Sequence, residues 1–299
     1  MVLHGGVMTK TAWVFPGQGS QAVGMGLDLS DRPTATAKLA QAEAILGWAI
    51  AEACQDEAKL SQTQYTQPCL YVVESLLVDA MRDRGQEPTL VAGHSLGEYV
   101  ALYAAGVFDF ATGLQLVKRR AELMDAASDG MMAALIGFDA EQLQTQIAQT
   151  PGVVLANDNS AAQVVISGTP EAVDAILSSV KAKRAVKLNV SGAFHSPLMQ
   201  DAAIAFQAAI DAATFNDAHV PVLSNVDPTP ETAAAALKQR LSQQMTGSVR
   251  WREISLQLAA LGMERAIEIG PGNVLTGLLK RTTPNIELVN VRTLAELPA

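Results

Sequence analysis

Short apolar runs alternate with longer amphipathic stretches along most of this chain. Thr11–Phe15 is a run of the first kind and predicts a strand, stopped by Pro16 and Gly17. Leu90–Ala92 is another, followed by a tight turn and an amphipathic helix reaching Gly106. Thr34–Leu46, Gln67–Arg84 and Phe110–Met124 carry apolar residues at helical spacing, and Gln67-Pro68 fits a helix start with proline in the first turn. From Met131 the rhythm changes. Met131–Gly137, Val153–Ala156, Gln163–Ser167 and Arg184–Val190 read as strands, with helices over Ala140–Ala148 and Pro170–Lys183. That order, βαββαβ, is the split-βαβ, ferredoxin-like pattern. Beyond it the alternation resumes. Helices are expected over Pro197–Ala213, Glu231–Met245, Trp251–Leu261 and from Val274, and strands over Val220–Asn225, Arg265–Ile269 and Ile286–Val291.

Strands alternating with helices on both sides of the insertion predict a mostly parallel sheet covered by helices, an α/β fold. The expected division is a large α/β domain over 11–129 and 194–299, interrupted by a ferredoxin-like small domain over 130–193. With 299 residues and 49% apolar content the chain can bury a large core. Its net charge of −9 argues against nonspecific nucleic-acid binding. Basic residues cluster at Lys118, Arg119 and Arg120 and at Lys181, Lys183 and Arg184. Successive helical side chains point about 100° apart, so Lys118–Arg120 cannot share one direction, and at least one turns inward. A buried arginine needs an anion. The two cysteines, Cys54 and Cys69, have no disulfide or metal spacing and read as buried thiols in a reducing compartment. The start MVLHGGVMTK has no signal-peptide pattern, Met8 offers a second start, and no apolar run is long enough for a bilayer. These features together predict a cytoplasmic protein.

Gly93-His94-Ser95-Leu96-Gly97 fits G-x-S-x-G between strand and helix, the setting in which a serine is lifted above a strand end. The core is therefore expected to be α/β-hydrolase-like. The Leu96 N–H, directly after the serine, is a natural oxyanion donor. The bland alternative is a serine that merely caps a helix. The loop after Phe15 ends at the same side of a parallel sheet, which makes Gln18 a candidate polar group. An activated serine needs a base. Among four histidines, His4 lies in the tail, His94 adjoins Ser95 and diverges from it, and His219 precedes a strand at the wrong end. His195, where the chain returns to the large domain, remains. Asp125, Asp139 and Asp158 have no convincing setting as its acid, and a backbone carbonyl would serve equally well.

The motifs FPGQGSQ (Phe15–Gln21), TQP (Thr66–Pro68), GHSLGEY (Gly93–Tyr99) and LVKRR (Leu116–Arg120) stand in one order with five more. These are NDNSAAQVVISG (Asn157–Gly168), GAFHSPLM (Gly192–Met199), SNVD (Ser224–Asp227), QMTGSVRW (Gln244–Trp251) and EIGPGNVLTGL (Glu268–Leu278). Together they resemble the acyltransferase family of fatty-acid and polyketide synthesis that moves malonyl groups from malonyl-CoA to acyl carrier protein. The resemblance implies Ser95 as nucleophile, His195 as base, and the Gln244 backbone carbonyl as the group orienting His195. It implies an oxyanion hole from Gln18 and Leu96, and Arg120 as the holder of the malonyl carboxylate. Gln67, Asn157, Asn159 and Asn225 match positions near the family's substrate, and Phe194 resembles the residue that crowds out an α-methyl branch. No cofactor is implied beyond malonyl-CoA and the holo carrier protein, and a monomer without membrane or nucleic-acid partners is expected. The competing readings are a serine hydrolase of the α/β type, with a carboxylate beside His195 and no use for Arg120, a noncatalytic carrier-docking module, and a polyketide acyltransferase of the same chemistry.

Overall fold

A computed structural model describes residues 9–30, 32–127 and 129–298. His4 and Met8 lie outside them. The first part of the chain runs through β1 (Thr11–Phe15), α1 (Pro33–Leu46), α2 (Ile50–Ala53), α3 (Glu57–Leu60), α4 (Thr63–Asp83), β2 (Leu90–Gly93), α5 (Gly97–Ala104) and α6 (Phe110–Ala126). Then come β3 (Met131–Phe138), α7 (Ala140–Gln149), β4 (Val153–Ser160), β5 (Gln163–Gly168), α8 (Pro170–Ser179) and β6 (Ala182–Lys187). The last part holds α9 (Gln200–Ala212), β7 (Val222–Leu223), α10 (Ala234–Gln243), α11 (Trp251–Ala260), β8 (Arg265–Ile269), α12 (Val274–Thr282) and β9 (Glu287–Val291). Among the described residues no helix is long and apolar enough to cross a membrane.

One sheet has the order β7-β2-β1-β8-β9 and is parallel throughout. Its side chains alternate between two cores. Trp13, Phe15, Val91, Ile267 and Ile269 join the cluster built with α4, α5 and α6, while Ala12, Val14, Leu90, Ala92 and Ala266 join that of α11 and α12. Both faces are thus covered, which is why these strands read as continuous apolar runs. The second sheet is antiparallel, in the order β4-β5-β3-β6, as the split-βαβ pattern requires. One face of it (Ala133, Leu135, Val164, Ile166) packs on α7 and α8. The other (Met132, Ala134, Ala156, Val165) is buried in the large core. Backbone bonds from Asp158 N to Val249 O (2.9 Å) and from Val249 N to Ala156 O (2.8 Å) clip β4 to the segment before α11.

Several boundaries differ from expectation. Helix α4 begins at Thr63, not Gln67, so Pro68 lies inside it. Helix α8 ends at Ser179 because Val180 turns extended, and β6 therefore starts and ends earlier than Arg184–Val190. Strand β4 continues through Asn157 and Asn159 to Ser160 across two irregular steps. Helix α10 starts at Ala234, since the Glu231 backbone pairs with Val222 and its carboxylate takes the N–H groups of Thr232 and Ala233.

Candidate active site

Because all five strands of the large sheet are parallel, the loops after β1, β2 and β7 end on the same side. The turn after β2 is forced by contact. A Cβ on Gly93 would overlap the Gly97 backbone, and one on Gly97 would overlap Phe15 O. Only glycine allows helix α5 to press so closely on the strand ends, and Ser95 between them is held at φ 52°. Gly17 lies in the same way against His94 O, so the first loop abuts the elbow. Among the described residues, neither the Gln18 nor the Leu96 backbone N–H has a hydrogen-bond partner. Two free donors on touching loops beside a serine hydroxyl can receive an oxyanion.

His195 also has a positive φ, 56°. Its turn is tied by Ser196, whose hydroxyl donates to Ala193 O (2.6 Å) and accepts from Leu198 N (3.2 Å). The imidazole reaches across a domain's width of sequence to Ser95, Nε2 lying 2.8 Å from Oγ. Its Nδ1 faces the carbonyls of Gln244 (3.0 Å) and Gly247 (3.2 Å). Carbonyls only accept, so Nδ1 carries the proton and Nε2 offers its lone pair to the serine. Burial, and then the charge of Arg120, hold this histidine down at about 3, so the ring is neutral. Asp139 instead caps α7 and Asp158 pairs with Arg252. His94 turns away, its ring bonded to Asn159 Oδ1 at 2.8 Å and tilted against Trp251.

Of the three adjacent basic residues, Arg119 pairs with Glu122, Lys118 bonds Ile45 O, and Arg120 is fully buried. Its Nη2 donates to Ser95 Oγ (3.0 Å) and Gln244 Oε1 (3.1 Å), and its Nη1 to Gln67 Oε1 (2.7 Å). All its acceptors are neutral. Burial pulls the guanidinium below its usual value, and Tyr99 and Glu98 counter that shift. Among the described residues no carboxylate pairs with this buried cation, which touches the Ser95 hydroxyl and can receive an anionic ligand there.

The amides sort differently from expectation. Asn225 is fully buried, and both ends of its side chain are engaged: Oδ1 accepts from Ser95 N (2.7 Å) and Nδ2 donates to Gly93 O (2.6 Å). Asn159 bonds His94 through its Oδ1. Gln67 holds Arg120 and contacts Gln18 Oε1 at 3.4 Å. These side chains brace the reacting groups and leave little to offer a substrate. Asn157 Oδ1, by contrast, is buried without a partner. Phe194 is buried in the large core beside His195. Sequence reading missed Glu98, Tyr99 and Gly247. Glu98 accepts from Gln244 Nε2 (2.7 Å) and Asn225 N (3.1 Å), and the Tyr99 ring centroid lies 5.4 Å from the guanidinium carbon. The one available signal for Glu98 was an acid in an otherwise apolar helix.

The acyl transferase domain family matches residues 12–297, nearly the whole chain. The chain belongs to the acyl transferase family. It is 61% identical over 289 residues to a malonyl CoA-acyl carrier protein transacylase of Synechocystis sp., covering 96% of this chain and 99% of that one. The crystal structure of the Synechocystis transacylase superposes with a TM-score of 0.95 over 96% of this chain and 99% of that one. A polyketide biosynthesis transacylase of Bacillus subtilis is 43% identical, covering 92% of this chain and 98% of the relative. A malonyl-transacylase solved in complex with a type II polyketide-synthase acyl-carrier protein is 37% identical, with a TM-score of 0.91 over 97% and 98% of the two chains.

Proposed function

We propose that this protein transfers the malonyl group from malonyl-CoA to the phosphopantetheine thiol of acyl carrier protein, through a malonyl ester on Ser95, for fatty-acid synthesis in the cytoplasm. His195 Nε2 takes the Ser95 proton as Oγ attacks the thioester carbonyl, and the carbonyls of Gln244 and Gly247 stabilise the imidazolium. The developing oxyanion takes the N–H groups of Gln18 and Leu96. Collapse expels CoA thiolate, which receives the proton from His195. The carrier thiol then attacks the ester by the reverse path. Arg120 holds the distal carboxylate in a bidentate pair and so aligns the carbonyl with Ser95. Phe194 disfavours an α-methyl branch, by only about 1–3 kcal/mol. The chain supplies nucleophile, base, oxyanion donors and cation, so the reaction as proposed needs no cofactor. We assign the large domain to 11–129 and 194–299 and the insertion to 130–193, and expect a monomer.

The observation carrying this reading is Arg120, buried, without a carboxylate partner among the described residues and 3.0 Å from Ser95 Oγ. A serine hydrolase acting on neutral esters has no use for it. Intact mass spectrometry after malonyl-CoA should give a malonyl-enzyme, discharged by holo carrier protein. Arg120→Ala should cut malonyl loading by about a hundredfold or more, as expected for losing a buried charge-assisted pair, and acetyl loading much less. Equal losses would refute the carboxylate-reading role. The similarity to a polyketide transacylase favours a second reading in which the same chemistry serves a polyketide carrier. Comparing the two carriers as acceptors separates these readings.

A further inference from the structure

Arg120 and Glu98 are both fully buried, yet they do not touch. One amide stands between them. Gln244 Oε1 accepts from Arg120 Nη2 (3.1 Å), and Gln244 Nε2 donates to Glu98 Oε2 (2.7 Å) and to Ser95 O (2.8 Å). The direction of that amide matters. Flipped, it would set an NH2 group against a guanidinium that has only donors, and its oxygen against carboxylate and carbonyl oxygens that only accept. Glu98 Oε2 takes two N–H donors, from Gln244 and from the Asn225 backbone (3.1 Å), so it acts as an acceptor whichever charge state the carboxyl holds. Asn225 in turn fixes the Ser95 N–H (2.7 Å). Burial raises the Glu98 carboxyl, while the donors from Gln244 and Asn225 and the Arg120 charge act against that rise.

From this chain of contacts we infer that Glu98 is a positioning residue. It sets the orientation of the Gln244 amide, and through it aims Arg120 at the substrate carboxylate; through Asn225 it holds the Ser95 peptide at its positive φ. The amide spacer has a second consequence. It keeps Glu98 from pairing directly with Arg120, which would occupy the fork that the substrate needs. The inference rests on the malonyl-transfer reading. The two arms are separable in principle. The Arg120 arm acts only on substrates with a free carboxylate, whereas the Ser95 arm acts on every acyl group.

The test is the ratio of malonyl to acetyl loading, with kcat and KM measured for each on the full-length protein. Glu98→Leu, which has no acceptor, should lower the ratio about tenfold or more, the cost of leaving buried amide donors unpaired. Glu98→Gln keeps an acceptor at the Oε2 position and should keep the malonyl preference. Gln244→Leu should lower the ratio as Glu98→Leu does, and the double variant should show no further drop, because both act along one path. Gln244→Leu also keeps the experiment decisive if Glu98→Leu does not fold, since its backbone carbonyl still holds His195. An unchanged ratio in either leucine variant, additive losses in the double variant, or a Glu98→Gln enzyme as unselective as Glu98→Leu would overturn the inference. Wild-type protein run alongside separates the two failures: absence of any malonyl adduct there would sink the transfer reading itself.

Discussion

The two sheets are made of similar apolar strands, but they treat polar residues in opposite ways. In the parallel sheet the central strands β2, β1 and β8 are covered on both faces, and the polar groups of the site lie in loops beyond the strand ends, which coincide. Ser95, Gln18 and Asn225 all follow a strand of this sheet directly. In the antiparallel sheet β6 lies at an edge, largely exposed, with Lys183, Arg184 and Lys187 on it. Its polar residues face water along the strand, and only β4, clipped to Val249, sends side chains toward the site. The large sheet thus generates the site by its topology, while the small sheet walls one side of it.

Four changes put that contrast to the test. Ser95→Ala should abolish the malonyl-enzyme completely, since among the described residues no other hydroxyl bonds His195 Nε2; a surviving adduct in the mass spectrum would move the nucleophile elsewhere. Gly97→Ala comes next. Its Cβ meets backbone rather than a flexible side chain, so relief must come from moving the elbow, at a cost of about 3 kcal/mol in chemical denaturation and with loading largely lost. Leu135→Ala, in the core that the small sheet shares with α7 and α8, should cost a similar amount, about 3 kcal/mol. Yet loading per folded molecule should persist, because that face points away from Ser95. Should loading collapse with it, the small sheet would be more than a wall. The smallest effect concerns pH. The base form of His195 exists above its folded value and is lost only as pH falls through about 3. Malonyl-enzyme formation should therefore stay nearly level between about pH 8 and about pH 5 in stopped-flow or quench assays, where a histidine of ordinary value, about 6.5, would lose most of its base form.

Much of this was readable in advance. The elbow could be recognised from Gly93 and Gly97 because a backbone collision leaves no other residue type possible. The inward turn of one residue among Lys118–Arg120 followed from helical geometry, and the structure puts Arg120 there. His195 could be reached by elimination because bases are scarce in this chain. Helix ends were less legible. A proline marks a first turn in isolation, yet α4 extends five residues before Pro68 because tertiary packing buries Thr63, Thr66 and Gln67. The orientation of His195 had no signature of its own, since every residue has a carbonyl, and only the folded chain brings those of Gln244 and Gly247 to Nδ1.

Local sequence determined the kind of chemistry: which side chains can attack, accept a proton or carry a charge, and which strands must be covered on both faces. Those properties depend on residue type and periodicity, which are short-range. Tertiary structure alone decided which amides are consumed in bracing. Asn225 holds the Ser95 peptide, Gln67 and Gln244 share the guanidinium, and Glu98 anchors the Gln244 amide and the Asn225 backbone from inside the core. An amide can donate or accept on either side, so its role is undefined until partners from distant parts of the chain surround it.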